Sequence, residues 1–381
     1  KARERLNAEC QKILERVSRS EDLTPQDAAV LKQYSGKGGL TENSQYEYYT
    51  PPFVAEGVWD ALKEHGFENG NVLEPSAGAG VFGNTKPRGT LLSGAEIDAT
   101  SSKINQLLHP EDKIENKSFE QLCIESPDES FDAIVGNVPF GSARGEYQHQ
   151  DPDYKNEKRM ERYFLLRAVT KVKPGGLICL VVPTNIVGNR GDEWERFRQV
   201  LSLKAEFLGD HKLPSKTFAQ QGTNSVVDII VLKKHPKDLL IKVEDLPLDI
   251  LVQSNVLWTE FIEGRYWQGE GKPFIMGKYI PKDVANRFSH EEVQSDLDNI
   301  GIKKALSKKF KSRVNWDVLE ASEPVAKNYS EGDRKIINGK EKELIGGVWV
   351  DVVQEQVDSK ESETLKSQLE TPEGALNFTF A

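Results

Sequence analysis

Between Val72 and Leu232 short apolar runs alternate with longer amphipathic stretches, and this alternation restricts the fold more than any other feature of the sequence. The runs are Val72-Leu73, Leu91 to Ile97, Phe131 to Val135, Leu177 to Val182, Ala205 to Leu208 and Val226 to Leu232. Apolar runs of this kind suit strands buried on both faces, and parallel strands require a covering crossover, usually a helix. The expected class is α/β, with a mostly parallel, Rossmann-like sheet. A helix is predicted from about Asn156 to Val172, closed by Lys173-Pro174-Gly175-Gly176. Another is predicted from Val54 to His65, with Val54, Val58 and Leu62 inward and Gly66 as its stop.

The flanks read differently. Leu6, Cys10, Ile13, Leu14 and Val17 recur at helical spacing, and Thr24-Pro25-Gln26-Asp27 supplies a cap, a first-turn proline and an acid, so two helices open the chain. The glycine-rich stretch Ser35 to Leu40 ends the second. Past His235-Pro236 the pattern changes to short strands and turns, with Trp258, Phe261, Tyr266 and Trp267 close together. Asn338-Gly339 and Gly346-Gly347 punctuate a β-meander that includes Ile336, Ile337, Val348, Trp349 and Val350. The expected organisation is an N-terminal helical extension (1–45), a catalytic domain (46–235), a smaller mixed α/β or β-rich accessory or target-recognition region (236–354) and a polar tail or linker (355–381).

Composition excludes several classes. Hydrophobic residues at 37% and charged residues at 29% describe a globular chain, and no apolar stretch reaches the roughly 20 residues of a membrane helix. The chain starts at Lys1 with no signal-like pattern, which suggests a piece of a longer, cytoplasmic polypeptide. Cys10, Cys123 and Cys179 are widely spaced and pair with no histidine at metal-ligand spacing, so neither disulfide nor metal is predicted. A net charge of −10 argues against a surface basic all over; any nucleic-acid contact is local or shared with a missing partner region.

Val72-Leu73-Glu74-Pro75-Ser76-Ala77-Gly78-Ala79-Gly80 is an apolar strand entering a glycine-rich turn, where missing side chains let backbone amides approach a cofactor. Further on, Gly94-Ala95-Glu96-Ile97-Asp98 puts a carboxylate at a strand end, where doubly wound sheets bind a ribose hydroxyl. A third strand, Phe131 to Val135, runs through Gly136 into Asn137-Val138-Pro139-Phe140-Gly141. Adenine's amine is a poor nucleophile because its lone pair is delocalised. Fixed acceptors such as the Asn137 side-chain oxygen and the Val138 carbonyl would favour its nucleophilic geometry, and Phe140 offers a stacking face.

With these motifs the chain resembles the gamma-type N6-adenine DNA methyltransferases, whose catalytic tetrapeptide is Asn/Asp-Pro-Pro-Tyr/Phe. Asn137-Val138-Pro139-Phe140 departs at its second position, which keeps the carbonyl but lacks proline's fixed φ. The resemblance implies S-adenosylmethionine as cofactor. It assigns the methionine carboxylate end to Thr50 in Tyr49-Thr50-Pro51, the methionine side to Glu74, Ala77, Gly78 and Gly80, the ribose to Glu96, and a stacking role to Phe119. Many relatives carry an Asp-Phe pair where this chain has Ser118-Phe119-Glu120. Within the family the likeness is to phage and conjugative-element enzymes often fused to a helicase, the DarB-like antirestriction proteins. It is carried by Tyr34 to Leu40, Tyr163-Phe164, Pro174-Gly175-Gly176, Leu213-Pro214, Phe218, Gly222-Thr223 and Asp228-Ile229.

The implied activity is methylation of the N6 amine of adenine in DNA, within a restriction-modification or antirestriction protein of a bacterial host cell or phage particle. Phe218 is expected either as a second wall of the base pocket or as a core aromatic. Lys303, Lys304, Lys308, Lys309, Lys311 and Arg313 form an acid-free cluster, read either as a phosphate-binding patch or as a solvated helix face. Competing readings are a methyltransferase for an RNA base or a protein glutamine, and a catalytically degenerate DNA-binding or virion module.

Overall fold

The computed structural model describes residues 2–34, 49–141, 144–219, 225–236, 239, 248–282, 290–321, 332, 334–337, 340–345 and 348–351. The motif residues Ser35 to Leu40, Gly222-Thr223, Asn338-Gly339 and Gly346-Gly347 and the tail 355–381 lie outside the described residues.

Seven strands form one sheet: β1 (Asn71–Glu74), β2 (Leu91–Ala95), β3 (Lys113–Glu115), β4 (Phe131–Asn137), β5 (Val172–Pro183), β6 (Ala205–Lys212) and β7 (Val227–Lys234). Their order is β3-β2-β1-β4-β5-β7-β6, parallel except that β7 runs antiparallel to both β5 and β6. β3 escapes sequence reading because it is three residues long with a single buried apolar residue, Ile114. The strand alternation sends Ile178, Leu180 and Val182 to one face and Cys179 and Val181 to the other, and both faces are buried.

Helices cover the two faces. α1 (Ala2–Ser18) and α2 (Pro25–Leu31) open the chain, and Thr24 and Asp27 form the expected capping box. They pack through Cys10, Ile13, Leu31 and Tyr34 onto Ile104 of α5 (Ala99–Leu108). α3 (Pro52–Glu64) packs against one face with α4 (Val81–Thr85) beside it; α6 (Phe119–Glu125), α7 (Met160–Lys171), α8 (Asn185–Gly188) and α9 (Asp192–Lys204) serve the other.

α7 starts at Met160 rather than near Asn156, and in the turn before it Glu157 accepts the Arg159 amide at 2.8 Å. The expected helix closure at Pro174-Gly175-Gly176 is instead an irregularity inside β5, with Gly175 at φ +76° and a register shift between Phe131 and Ala133.

Described residues between Trp258 and Phe310 pack into the two cores that flank the sheet. The first described elements after His235 are short helices, Leu248–Gln253 and Thr259–Ile262, where strands and turns are expected from sequence. Phe261 stacks on Phe207 of β6 at 3.9 Å, and Trp258, Tyr266 and Trp267 complete an aromatic cluster. A hairpin of β8 (Lys278–Ile280) and β9 (Glu292–Gln294) follows, then the helix Asn299–Leu306, which packs on α3 with Leu306 against Gly57. The expected meander is present as β10 (Arg334–Ile337), β11 (Lys340–Ile345) and β12 (Val348–Asp351). No described helix is long and apolar enough to cross a membrane.

Candidate active site

β1 ends at Glu74, and the turn after it folds back onto the end of β2. The Ala77 amide donates to the Ala95 carbonyl at 2.9 Å, and the Gly78 amide donates to Glu96 Oε2 at 2.7 Å. Glu96 Oε1 accepts the Asp98 amide at 2.8 Å, so both carboxylate oxygens are fixed by backbone. Asn105 Nδ2 donates to the carbonyls of Ala77 and Gly78, each at 3.3 Å. Gly78 and Gly80 have φ of +52° and +95°, and a Cβ on Gly80 would lie 2.8 Å from Asn105 Oδ1.

Glu74 lies beneath this turn, 1% exposed, and its Oε2 has no hydrogen-bond partner among the described residues. Burial pushes its carboxyl well above the usual range, and the nearby charges of Glu96 and Asp112 push the same way. An unsatisfied buried oxygen is costly, so a cationic or donating ligand group would relieve it.

β4 delivers Asn137 to the same sheet edge. Ser76 Oγ donates to the Asn137 carbonyl at 2.7 Å, which ties the segment after β4 to the glycine turn after β1. The Val138 amide donates to the Val181 carbonyl at 3.2 Å, a bond that proline could not make. Phe140 is partly buried and packs against the cores on both faces.

These parts share one cavity of about 710 Å³, a size typical for a nucleoside ligand. Glu74, Glu96, Asn137, Val138, Pro139 and Phe140 all line it, as do Tyr49, Thr50, Ala77, Gly78 and Phe119. Tyr49 is held by a 2.8 Å hydrogen bond between its hydroxyl and Ser101 Oγ. The lining fits S-adenosylmethionine: Glu96 lies beside the glycine turn for a ribose, Glu74 offers an unsatisfied carboxyl for an ammonium, and Ile97 and Phe119 give apolar faces for a base.

Gly80 does not line the cavity; it starts α4 and makes room for Asn105. Phe218, 1% exposed, belongs to the core on the α3 side of the sheet and does not line the cavity. The basic cluster also lies away from the cavity. Lys303 pairs with Glu56 at 2.8 Å, and Arg313 pairs with Glu270 and stacks 3.8 Å over Trp258. Lys304, Lys308, Lys309 and Lys311 are exposed. The Arg313 amide donates to Glu206 at 2.6 Å, at the start of β6 and so at the sheet edge opposite the cavity.

Sequence reasoning named Glu120 only within the Ser118-Phe119-Glu120 motif, with no role, and missed Arg144. Both are buried cavity residues, paired at 3.0 Å, and the guanidinium lies 3.5 Å over the Tyr163 ring and donates to the carbonyls of Tyr154 and Glu157. Glu120 follows Phe119 in the first turn of α6, a signal present in the sequence; Arg144 sits in a stretch without periodic pattern.

A parallel sheet with β7 inserted antiparallel, carrying a glycine turn with its acidic partner and an Asn-X-Pro-Phe clamp at one carboxyl edge, defines the fold of a class I methyltransferase. Residues 81–208 match the family model of the Eco57I restriction-modification methylase. The chain is 42% identical over 372 residues to Defense against restriction protein B of Escherichia phage P1, which covers 94% of this chain and 16% of that protein. It is 24% identical over 148 residues to Type II methyltransferase M.CvrRI of Paramecium bursaria Chlorella virus XZ-6E, covering 38% of this chain and 37% of the relative. The chain thus spans well under half the length of either. Among solved structures it resembles the type I restriction-modification methyltransferase subunit from Streptococcus thermophilus, with 18% identity, TM-score 0.45 and coverage of 57% and 51%. The family resemblance drawn from the motifs is borne out by the match to the methylase model and to the phage protein.

Proposed function

We propose that this chain is the methyltransferase part of a larger phage or mobile-element protein and methylates the N6 amine of adenine in DNA with S-adenosylmethionine. The single observation carrying this reading is that Glu74, Glu96 and the Asn137 to Phe140 clamp line one cavity. The restriction-modification family match and the likeness to a phage protein named for defence against restriction support DNA as substrate.

When bound, S-adenosylmethionine supplies an electrophilic methyl group. Thr50, Glu74, Gly78 and Glu96 would hold it. The Asn137 side chain and the Val138 carbonyl accept hydrogen bonds from the target amine and orient its lone pair, while Phe140 stacks on the base. Ser76 and Val181 hold that clamp rigid before substrate arrives. The four exposed lysines, Lys304, Lys308, Lys309 and Lys311, are proposed to bind the DNA backbone, and residues 236–354 to form the target-recognition region. A flipped or single-stranded adenine gives the amine access to the clamp.

Tritiated methyl transfer to DNA, RNA and protein tests this reading. DNA adenine becomes labelled, and Asn137→Ala lowers turnover by about 10²–10³ with cofactor affinity kept within threefold. Label in RNA or protein with none in DNA would overturn it.

A further inference from the structure

Position 138 carries valine, so backbone rigidity in the Asn137 to Phe140 clamp has to come from tertiary anchors. At one end these are Ser76 on the Asn137 carbonyl and Val181 on the Val138 amide. At the other end Gly141 is gripped through both of its backbone groups: its carbonyl accepts the Met160 amide at 3.1 Å, and its amide donates to Glu161 Oε2 at 3.3 Å. Glu161 is 1% exposed and lies in the first turn of α7. Its other oxygen accepts Asn185 Nδ2 at 3.0 Å, from the start of α8 just beyond β5, and Arg159 Nη1 lies 3.6 Å away. One carboxylate therefore joins the catalytic loop to the elements that follow β4 and β5.

We propose that Glu161 is a positioning residue that fixes the Asn137 to Phe140 clamp through Gly141, in place of the stiffness that a proline at 138 would give. The inference rests on the adenine-methylation reading for its rate effect but not for its structural effect. Beside the nearby Arg159, the two hydrogen-bond partners of Glu161 are both donors, an amide N–H and a carboxamide NH₂, so the position needs an acceptor at each oxygen, which a carboxylate provides and a carboxamide does not. A glutamine has one acceptor, and its own NH₂ would face one of the two donors. Turning Asn185 into aspartate reverses the second bond: a glutamine at 161 then donates to the new carboxylate and still accepts from Gly141, with net charge unchanged.

The test compares wild type, Glu161→Gln, and Glu161→Gln combined with Asn185→Asp. The readouts are amide hydrogen exchange of the peptide spanning 137–141, cofactor Kd by calorimetry and single-turnover methyl transfer to adenine DNA. For Glu161→Gln we expect faster exchange in that peptide, a transfer rate lower by about tenfold to a hundredfold, and a cofactor Kd within threefold of wild type. The double variant restores both exchange and rate to within about threefold. Unchanged exchange in Glu161→Gln, or a double variant no better than the single, overturns the proposal. If the wild type labels no DNA, the functional reading fails, and the exchange comparison still decides whether Glu161 anchors the loop.

Discussion

The Glu96 carboxylate accepts the Gly78 amide at 2.7 Å, so the acidic end of β2 and the glycine turn after β1 form a single hydrogen-bonded unit. A carboxylate fixed by two backbone amides shapes the turn as well as offering lone pairs to a ligand. Glu96→Ala should weaken S-adenosylmethionine binding by about tenfold or more, with Glu96→Gln intermediate because one acceptor survives. Titration calorimetry of the folded variants measures this; an unchanged Kd for Glu96→Ala would remove Glu96 from the site.

Glu74 gives the site a pH signature. Its carboxyl in the folded chain is raised above the unfolded value, so without ligand it stabilises the fold most at low pH. That contribution is lost as pH rises from about 4.5 through the folded pKa, at no more than about 1.4 kcal/mol per pH unit. A cationic ligand opposite Glu74 reverses the shift and drives its proton off. At a pH where the unliganded carboxyl is protonated, cofactor binding should release up to one proton, seen as a dependence of binding heat on buffer ionisation enthalpy. Glu74→Gln should abolish that dependence, and its persistence would place the proton elsewhere.

Phe218 separates packing from catalysis. Buried in the same apolar core as Leu213, Val227 and Met276, it should behave as a core residue: Phe218→Ala costs about 3–5 kcal/mol of stability, and Phe218→Leu costs less. The leucine variant should keep DNA affinity and turnover within about twofold. A large loss of turnover with an unchanged melting temperature would return Phe218 to the substrate.

The four exposed lysines are separable from the cavity, because none of them lines it. Replacing Lys304, Lys308, Lys309 and Lys311 by glutamate should weaken DNA binding and flatten its dependence on log salt by about 0.9 for each phosphate no longer neutralised, while cofactor Kd is unchanged. An unaltered salt slope would leave this face as solvated surface.

The strands differ in how plainly the sequence shows them. Val72-Leu73, Phe131 to Val135 and Leu177 to Val182 are legible as strands because burial on both faces demands an unbroken apolar run, and these are the central strands of the sheet. β3 is not, since an edge strand of three residues needs almost no apolar signal. The glycine turn, Glu96 and the Asn137 clamp are readable because their chemistry is local, carried by residues adjacent in the chain.

The sequence by itself therefore determined the α/β class and picked out most of the residues that line the candidate cavity, through periodicity and short-range backbone requirements. Only the tertiary structure decided that Glu74 is a buried, unsatisfied carboxyl, that Arg144 and Glu120 pair inside the cavity, and that Phe218 belongs to the core. It alone brought Glu161 to Gly141 and Asn185. Burial and pairing between residues distant in the chain depend on how helices dock on the sheet, and no local pattern in the sequence encodes that docking.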